Sequence, residues 1–396
     1  MKRLIVSTFA IAGVIAGLVP VRAHALDEVV QKQTFAVPSY ATAAGAIIKD
    51  VKIGYETYGK LNAAKDNAIL VPHFFSANSH VAGRYKPDDK AAGYWDAITG
   101  PGLPLDTSKY FIIGVDSLCN INTKDGVTVT TGPASIDPGT GKPYGMSFPL
   151  VQMRDFVNVQ KLLVESLGIR KLHAVMGLSM GAIQSWEWAA TQPDMVERLV
   201  AVVGSPVAGP YTIAMVQQWA DAVMLDPKWN RGDYYGKDEP VDGLTMAFKL
   251  INLQARQPAW ADQTFGRKPA VAGQDPAAAP GNLFAVEKWF ADSSLARAKT
   301  ADANNLICLA RANALFQAGD KPTLEDGLAA IKAKVLLLPD HDDLLLFTEY
   351  SRQARDILKK QGKRVEYHEL EGPNGHLDGV LNITAAAPLI KPFLDQ

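Results

Sequence analysis

Ser179 is the residue whose surroundings most plainly suit it to chemistry. It sits at the centre of Gly177-Leu178-Ser179-Met180-Gly181, a G-x-S-x-G pattern between a strand-like run (LHAVM) and a helix-like run (AIQSWEWAA). A sharp strand-to-helix turn holds such a serine in a strained conformation and lifts its hydroxyl above the sheet. Glycines two before and two after relieve collisions that side chains would cause. The helix that follows offers free N–H groups and a favourable dipole to a developing oxyanion. A serine so placed attacks acyl groups, given a base, an acid and two N–H donors.

Later segments supply these partners in the order serine, acid, histidine. After VLLLP comes Asp340-His341-Asp342-Asp343, and after RVEYHEL comes Glu371-Gly372-Pro373-Asn374-Gly375-His376. His376, on a glycine-rich loop, is the expected base. His341 and His368 are weaker candidates, the latter lying inside a strand pattern. The acid must hold the imidazole tautomer from a partly buried position. Asp343, leading into LLLF, is preferred, then Asp342, then Asp340. For the oxyanion hole, one donor is expected from the Met180 N–H. The other should come from the loop after AILVP, His73 to Asn78, with the Phe75 N–H as the choice.

The elements that must position these residues follow from periodicity. From about residue 30 to 205, short β-branched runs alternate with amphipathic helical ones, the pattern of a parallel sheet covered on both faces. Residues 47–58 (IIKDVKIGYETY) alternate like paired edge strands; residues 68–72 (AILVP) and 110–115 (YFIIGV) read as buried strands. From 206 to 330 helical patterns dominate, interrupted by a Pro/Ala/Gly-rich loop at 266–282. Strand patterns resume from residue 331 to 396. A helical block interrupting βα alternation reads as a lid over a sheet. The expected organisation is therefore a core of residues 26–205 and 331–396 with a lid at 206–330.

Residues 1–25 read as a signal peptide. Lys2 and Arg3 precede an apolar stretch ending near Pro20, followed by Ala23-His24-Ala25, a small-x-small cleavage pattern. The stretch is short for a spanning helix, which needs roughly 20 residues. Export to the periplasm or medium is expected, with no stable membrane insertion after cleavage. Near-neutral formal charge (−1) and the lack of a Lys/Arg cluster argue against nucleic acid as a partner. Seven histidines and no C-x-x-C give no zinc-ligand spacing. No metal or other cofactor is expected. The two cysteines, Cys119 and Cys308, read as buried free thiols, although export permits a disulfide.

Four segments, YETYGKLNAAKDNAILVPH, TTGPASIDPGTGKPYG, GLSMGAIQSWEWA and DANNLICLARA, resemble the homoserine O-acetyltransferases, in order along nearly all of the chain after residue 25. The resemblance implies an α/β-hydrolase fold, a mostly parallel central sheet with helices on both faces and an inserted helical lid. It also implies ping-pong chemistry through an acyl-serine, often a homodimer formed through the lids, and a triad of Ser179, Asp343 and His376. The substrate-reading positions depart from the family. The lid arginine of G-L-x-x-A-R is Phe248 here, the tyrosine seven residues on is Ala255, and the aspartate after the histidine is Leu377, with Asp378 one step late. Losing such a carboxylate clamp leaves a substrate charge without its partner. The expectation is an exported hydrolase of a small-molecule acyl substrate, with Phe74, Phe248 and Leu377 lining its pocket. The alternatives are an acyltransferase with a different acceptor and a non-catalytic binding protein.

Overall fold

Unbroken apolar runs build the centre of the molecule. The computed structural model describes Leu26 and residues 29–396; the expected signal peptide lies outside the described residues. One eight-stranded sheet comprises β1 (Gln33–Ala41), β2 (Ile47–Tyr58), β3 (Ala68–Pro72), β4 (Phe111–Val115), β7 (Ala174–Leu178), β8 (Arg198–Val202), β9 (Lys334–Leu338) and β10 (Val365–Tyr367), ordered β1-β2-β4-β3-β7-β8-β9-β10. A separate hairpin pairs β5 (Ile136–Asp137) with β6 (Lys142–Pro143). The strands from β4 to β10 run parallel; β1 and β2 form an antiparallel margin. Residues 47–58, expected as paired strands, are one long strand. Its partner is β1, whose mixed polar sequence hid it.

Alternate residues of the central strands enter opposite cores. Val175 of β7, Leu199 of β8 and Val335 of β9 pack with helices α1 (Met153–Ser166), α2 (Met180–Thr191) and α9 (Thr348–Lys360). Their neighbours Met176, Val200 and Leu336 pack on the other face with Trp95, Ile98 and the last helices, α10 (Asp378–Leu381) and α11 (Ala387–Asp395).

Between β8 and β9 the chain leaves the sheet for a lid of six helices: α3 (Pro210–Met224), α4 (Val241–Gln254), α5 (Pro258–Thr264), α6 (Ala285–Ala298), α7 (Ala303–Ala314) and α8 (Leu324–Ala329). The cysteines overturn the free-thiol expectation. Cys119, in the loop after β4, is disulfide-bonded to Cys308 of α7, with Cα atoms 6.1 Å apart. The lid lays α7 across the loop after β4, a contact between residues 189 apart that periodicity does not reveal. Asp302 and Asn305 also bind that loop: the Asp302 N–H donates to the Ile121 carbonyl at 2.8 Å and Asn305 Nδ2 to the Asn120 carbonyl at 2.7 Å. Among the described residues, no helix is long and apolar enough to cross a membrane.

Candidate active site

The turn from β7 into α2 gives Ser179 a φ of 55° and a ψ of −124°, a strained conformation for a residue with a side chain. Its glycines are required by space. A Cβ on Gly177 would lie 2.3 Å from the Gly181 carbonyl, and one on Gly181 would lie 2.2 Å from the Pro72 oxygen. Bare backbone at both positions lets the turn close against the end of β3.

His376 and Asp343 arrive from loops after β10 and β9. His376 Nε2 is 2.7 Å from Ser179 Oγ, and Nδ1 is 2.7 Å from Asp343 Oδ2. Asp343 Oδ1 accepts the N–H groups of Leu345 and Leu346 at 2.8 and 2.9 Å, which aims Oδ2 at the imidazole. With Asp343 ionised, Nδ1 carries the proton and Nε2 presents its lone pair to the serine hydroxyl. Ser179 is 6% exposed and the other two 4%, so the chain of hydrogen bonds lies almost out of water. Asp342 faces solvent, and Asp340 is buried but turned away, its Oδ1 accepting the Asp342 N–H. His341 is exposed and paired with Glu369, and His368 is exposed on the sheet margin.

The loop after β3 is braced by a second histidine that sequence reasoning did not single out. Ser117 donates its backbone N–H to His73 Nε2 at 3.1 Å, so that nitrogen is unprotonated; Nδ1–H donates to the Phe74 carbonyl at 2.7 Å. Burial lowers the His73 pKa to about 4, which keeps this tautomer neutral near pH 7. Asn120 and Asn122 both hold the Ala77 carbonyl at 3.0 Å, and Gln184 holds that of His73 at 3.1 Å. Within this frame the Phe75 N–H makes no hydrogen bond to a described residue. Met180 opens α2, where a backbone N–H has no intrahelical partner. Phe75, Ser179 and Met180 line one cavity.

That cavity is small, about 30 Å³, and apolar. Ile183 of α2, Val216 and Trp219 of α3, and Leu345 and Leu346 after the acid close it, with Thr212 and Asn313 as polar contributors beside Ser179. Among the described residues no charged side chain lines it. Phe74, Phe248 and Leu377, the expected pocket residues, are elsewhere. Phe74 packs edge-on to Tyr94 (5.2 Å), Phe248 is buried in α4 beneath the Arg297 guanidinium (5.7 Å), and Leu377 packs into the core. The true lining from α3 has one signal in the sequence, apolar or small residues at 212, 216 and 219 on one helix face. Which cavity that face meets depends on how the lid docks. Asp378 does not stand in for the missing aspartate: it is fully buried and accepts the Asn374 N–H at 3.0 Å. Among the described residues no group of three or more His, Cys, Asp or Glu is placed to hold a metal ion.

Known proteins agree with this architecture. A family model described as alpha/beta hydrolase fold matches residues 126–377. A homoserine O-acetyltransferase of Carboxydothermus hydrogenoformans is 35% identical over 368 residues, 93% of this chain and 96% of its own. The crystal structure of the homoserine O-acetyltransferase from Bacillus anthracis superposes with a TM-score of 0.89 at 37% identity, covering 93% of this chain and 98% of that one. That of esterase E22 gives 0.88 at 44% identity, covering 92% and 100%. The chain therefore belongs to the homoserine O-acetyltransferase family of α/β-hydrolases.

Proposed function

We propose that the protein is an exported serine hydrolase that cleaves esters or thioesters of short acyl groups. The observation that carries this reading is the cavity beside Ser179, about 30 Å³ and without a charged lining residue among those described. Homoserine carries a carboxylate and an ammonium, and burying either without a partner costs several kcal/mol. The positions at which the family departs, Phe248, Ala255 and Leu377, are apolar in this chain, and the first two are buried. A short acyl chain fits such a space. The likeness to an esterase at 44% identity supports the same reading.

In this mechanism Ser179 Oγ attacks the acyl carbon while His376 Nε2 takes its proton, and Asp343 stabilises the imidazolium. The N–H groups of Phe75 and Met180 receive the negative charge that develops on the carbonyl oxygen. Collapse of the tetrahedral species breaks the bond to the leaving alcohol or thiol, which takes the proton from His376. Water then attacks the acyl-Ser179, giving its proton to His376, and the carboxylic acid leaves as the serine regains its hydrogen.

Export is supported by the charged, apolar and small-x-small pattern of residues 1–25 and by the Cys119–Cys308 bond, which suits an oxidising compartment. The deciding measurement is turnover of short p-nitrophenyl esters beside acetyl-CoA with homoserine. Ester hydrolysis with negligible O-acetylhomoserine is expected; efficient O-acetylhomoserine formation overturns the reading. Intact mass after fluorophosphonate treatment should show one adduct on the wild type and none on Ser179→Ala.

A further inference from the structure

A second cavity lies behind the first. The helix α3 and residues 344–347 form the wall between them. Thr212, Val216, Leu345 and Leu346 face Ser179, while Tyr211, Met215, Leu344 and Phe347 face the other way. The space beyond is about 370 Å³, within the range of small-molecule sites, and its walls are mostly apolar and aromatic.

Among the described residues one cation lines it. Arg256 stands in the turn between α4 and α5, its guanidinium carbon 4.0 Å from the ring centre of Trp260 and 4.9 Å from that of Trp289. Both contacts place the cation against aromatic rings, which attract its charge without accepting its N–H groups as a carboxylate would. Other arginines of the chain spend those groups on carboxylates: Arg154 on Glu187 and Asp320, Arg352 on Glu369, Arg355 on Asp356. The Arg256 side chain makes no hydrogen bond or ion pair to any described residue, and its Nε is closed off from water without a partner among them. Burial lowers its pKa with no nearby carboxylate to offset the effect. Five donors on a half-buried cation in an apolar cavity are an incomplete arrangement.

We propose that this cavity binds a small monocarboxylate with an aromatic or alkyl body, its two oxygens taking the N–H edge of Arg256. The fork of a guanidinium matches a carboxylate in plane. A single cation balances a single negative charge, whereas a phosphate dianion would remain half-compensated. Trp260, Phe290 and Phe347 supply a surface for the apolar body. The site sits one wall from the triad. Its wall continues directly from Asp343, and Gln257, next to Arg256, donates to the Gly372 carbonyl in the loop that carries His376. A bound carboxylate would thus rest against the segments that hold both the acid and the base. The inference stands whether Ser179 works with water or with another acceptor.

Titration calorimetry of the intact enzyme with phenylacetate and its neutral isostere phenylacetamide tests this, with quenching of tryptophan fluorescence at Trp260 and Trp289 as a second readout. The wild type should bind phenylacetate about tenfold more tightly than the amide or better, as expected for a charge-assisted bidentate pair. In Arg256→Gln that preference should shrink to about twofold or less, with Arg256→Lys intermediate because a point charge replaces the fork. Equal binding of acid and amide by the wild type overturns the proposal, as does the binding of neither; Arg256 would then be a stacked structural cation. An acid preference that survives in Arg256→Gln places the ligand elsewhere and overturns it equally. Should that variant fail to fold by circular dichroism, the wild-type comparison and Arg256→Lys still decide.

Discussion

The carboxyl edge of the sheet and the lid above it fix their side chains by different means. At the sheet edge backbone geometry does the work. Ser179 is forced upward by a strained turn, Asp343 is aimed by two N–H groups of its own loop, and the Phe75 N–H is presented by a loop braced through His73. In the lid, packing of one helix face against another decides what the chemistry meets. Val216 and Trp219 close the catalytic cavity, while Tyr211 and Met215 of the same helix line its neighbour. On the proposed function the edge would set the kind of reaction and the lid its object.

Substitutions at the edge should therefore abolish turnover and leave the fold alone. Ser179→Ala is expected to lower kcat for a short ester by about 10⁴-fold or more with little change in Tm. Asp343→Asn should cost about 10⁴-fold by holding the wrong histidine tautomer. Parallel kinetics and thermal melts check both. A triad variant that retains a tenth of wild-type turnover would break the contrast at its stronger side.

This division also explains what could be read from the sequence. The G-x-S-x-G turn and the order serine, acid, histidine are local patterns tied to strand ends, so Ser179, His376 and the preferred Asp343 come together as their positions suggest. The lid's helices are equally visible, because amphipathic periodicity is local too. What periodicity omits is docking. Phe248 was expected to meet the substrate and is buried under Arg297 instead. Cys119 and Cys308 looked like separate buried thiols because nothing local reports a contact across 189 residues.

That contact joins the two regions, which makes it the next largest test. Reducing Cys119–Cys308, or replacing both cysteines with serine, should cost about 2–5 kcal/mol of stability and lower Tm by several degrees. Melts with and without reductant read this directly. An unchanged Tm would mean that hydrogen bonds such as Asn305 to Asn120 already suffice to seat the lid.

A smaller change on the lid should alter substrate choice alone. Val216 is buried and lines the cavity beside Ser179. Val216→Ala should raise the butyrate-to-acetate ratio of kcat/KM by about tenfold, since a methylene in a tight pocket is worth about 1–3 kcal/mol. An unchanged ratio would assign chain length to the sheet side, to Ile183 or Leu346.

The smallest effect tests whether the edge carries an electrostatic cost of its own. Asp340 is buried, its Oδ2 has no hydrogen-bond partner among the described residues, and its pKa is raised to about 7. Burial is the main cause, opposed by the Asp342 N–H and reinforced by the charges of Asp378, Asp343 and Asp342. An unfolded aspartate titrates near ~3.9. Between about pH 4 and pH 7 the folded carboxyl keeps a proton that the unfolded chain has released. Stability from this group is therefore present in full below pH ~4, is lost as pH rises towards 7, and is level above it. Asp340→Asn keeps the acceptor for the Asp342 N–H and removes the charge. It should stabilise the protein at pH 8 by on the order of 1 kcal/mol, discounted for partial solvent screening, and have little effect near pH 4. Melts of both proteins at the two pH values measure the difference. A gain of equal size at both would trace to packing, and the edge would then bear strain but no buried charge.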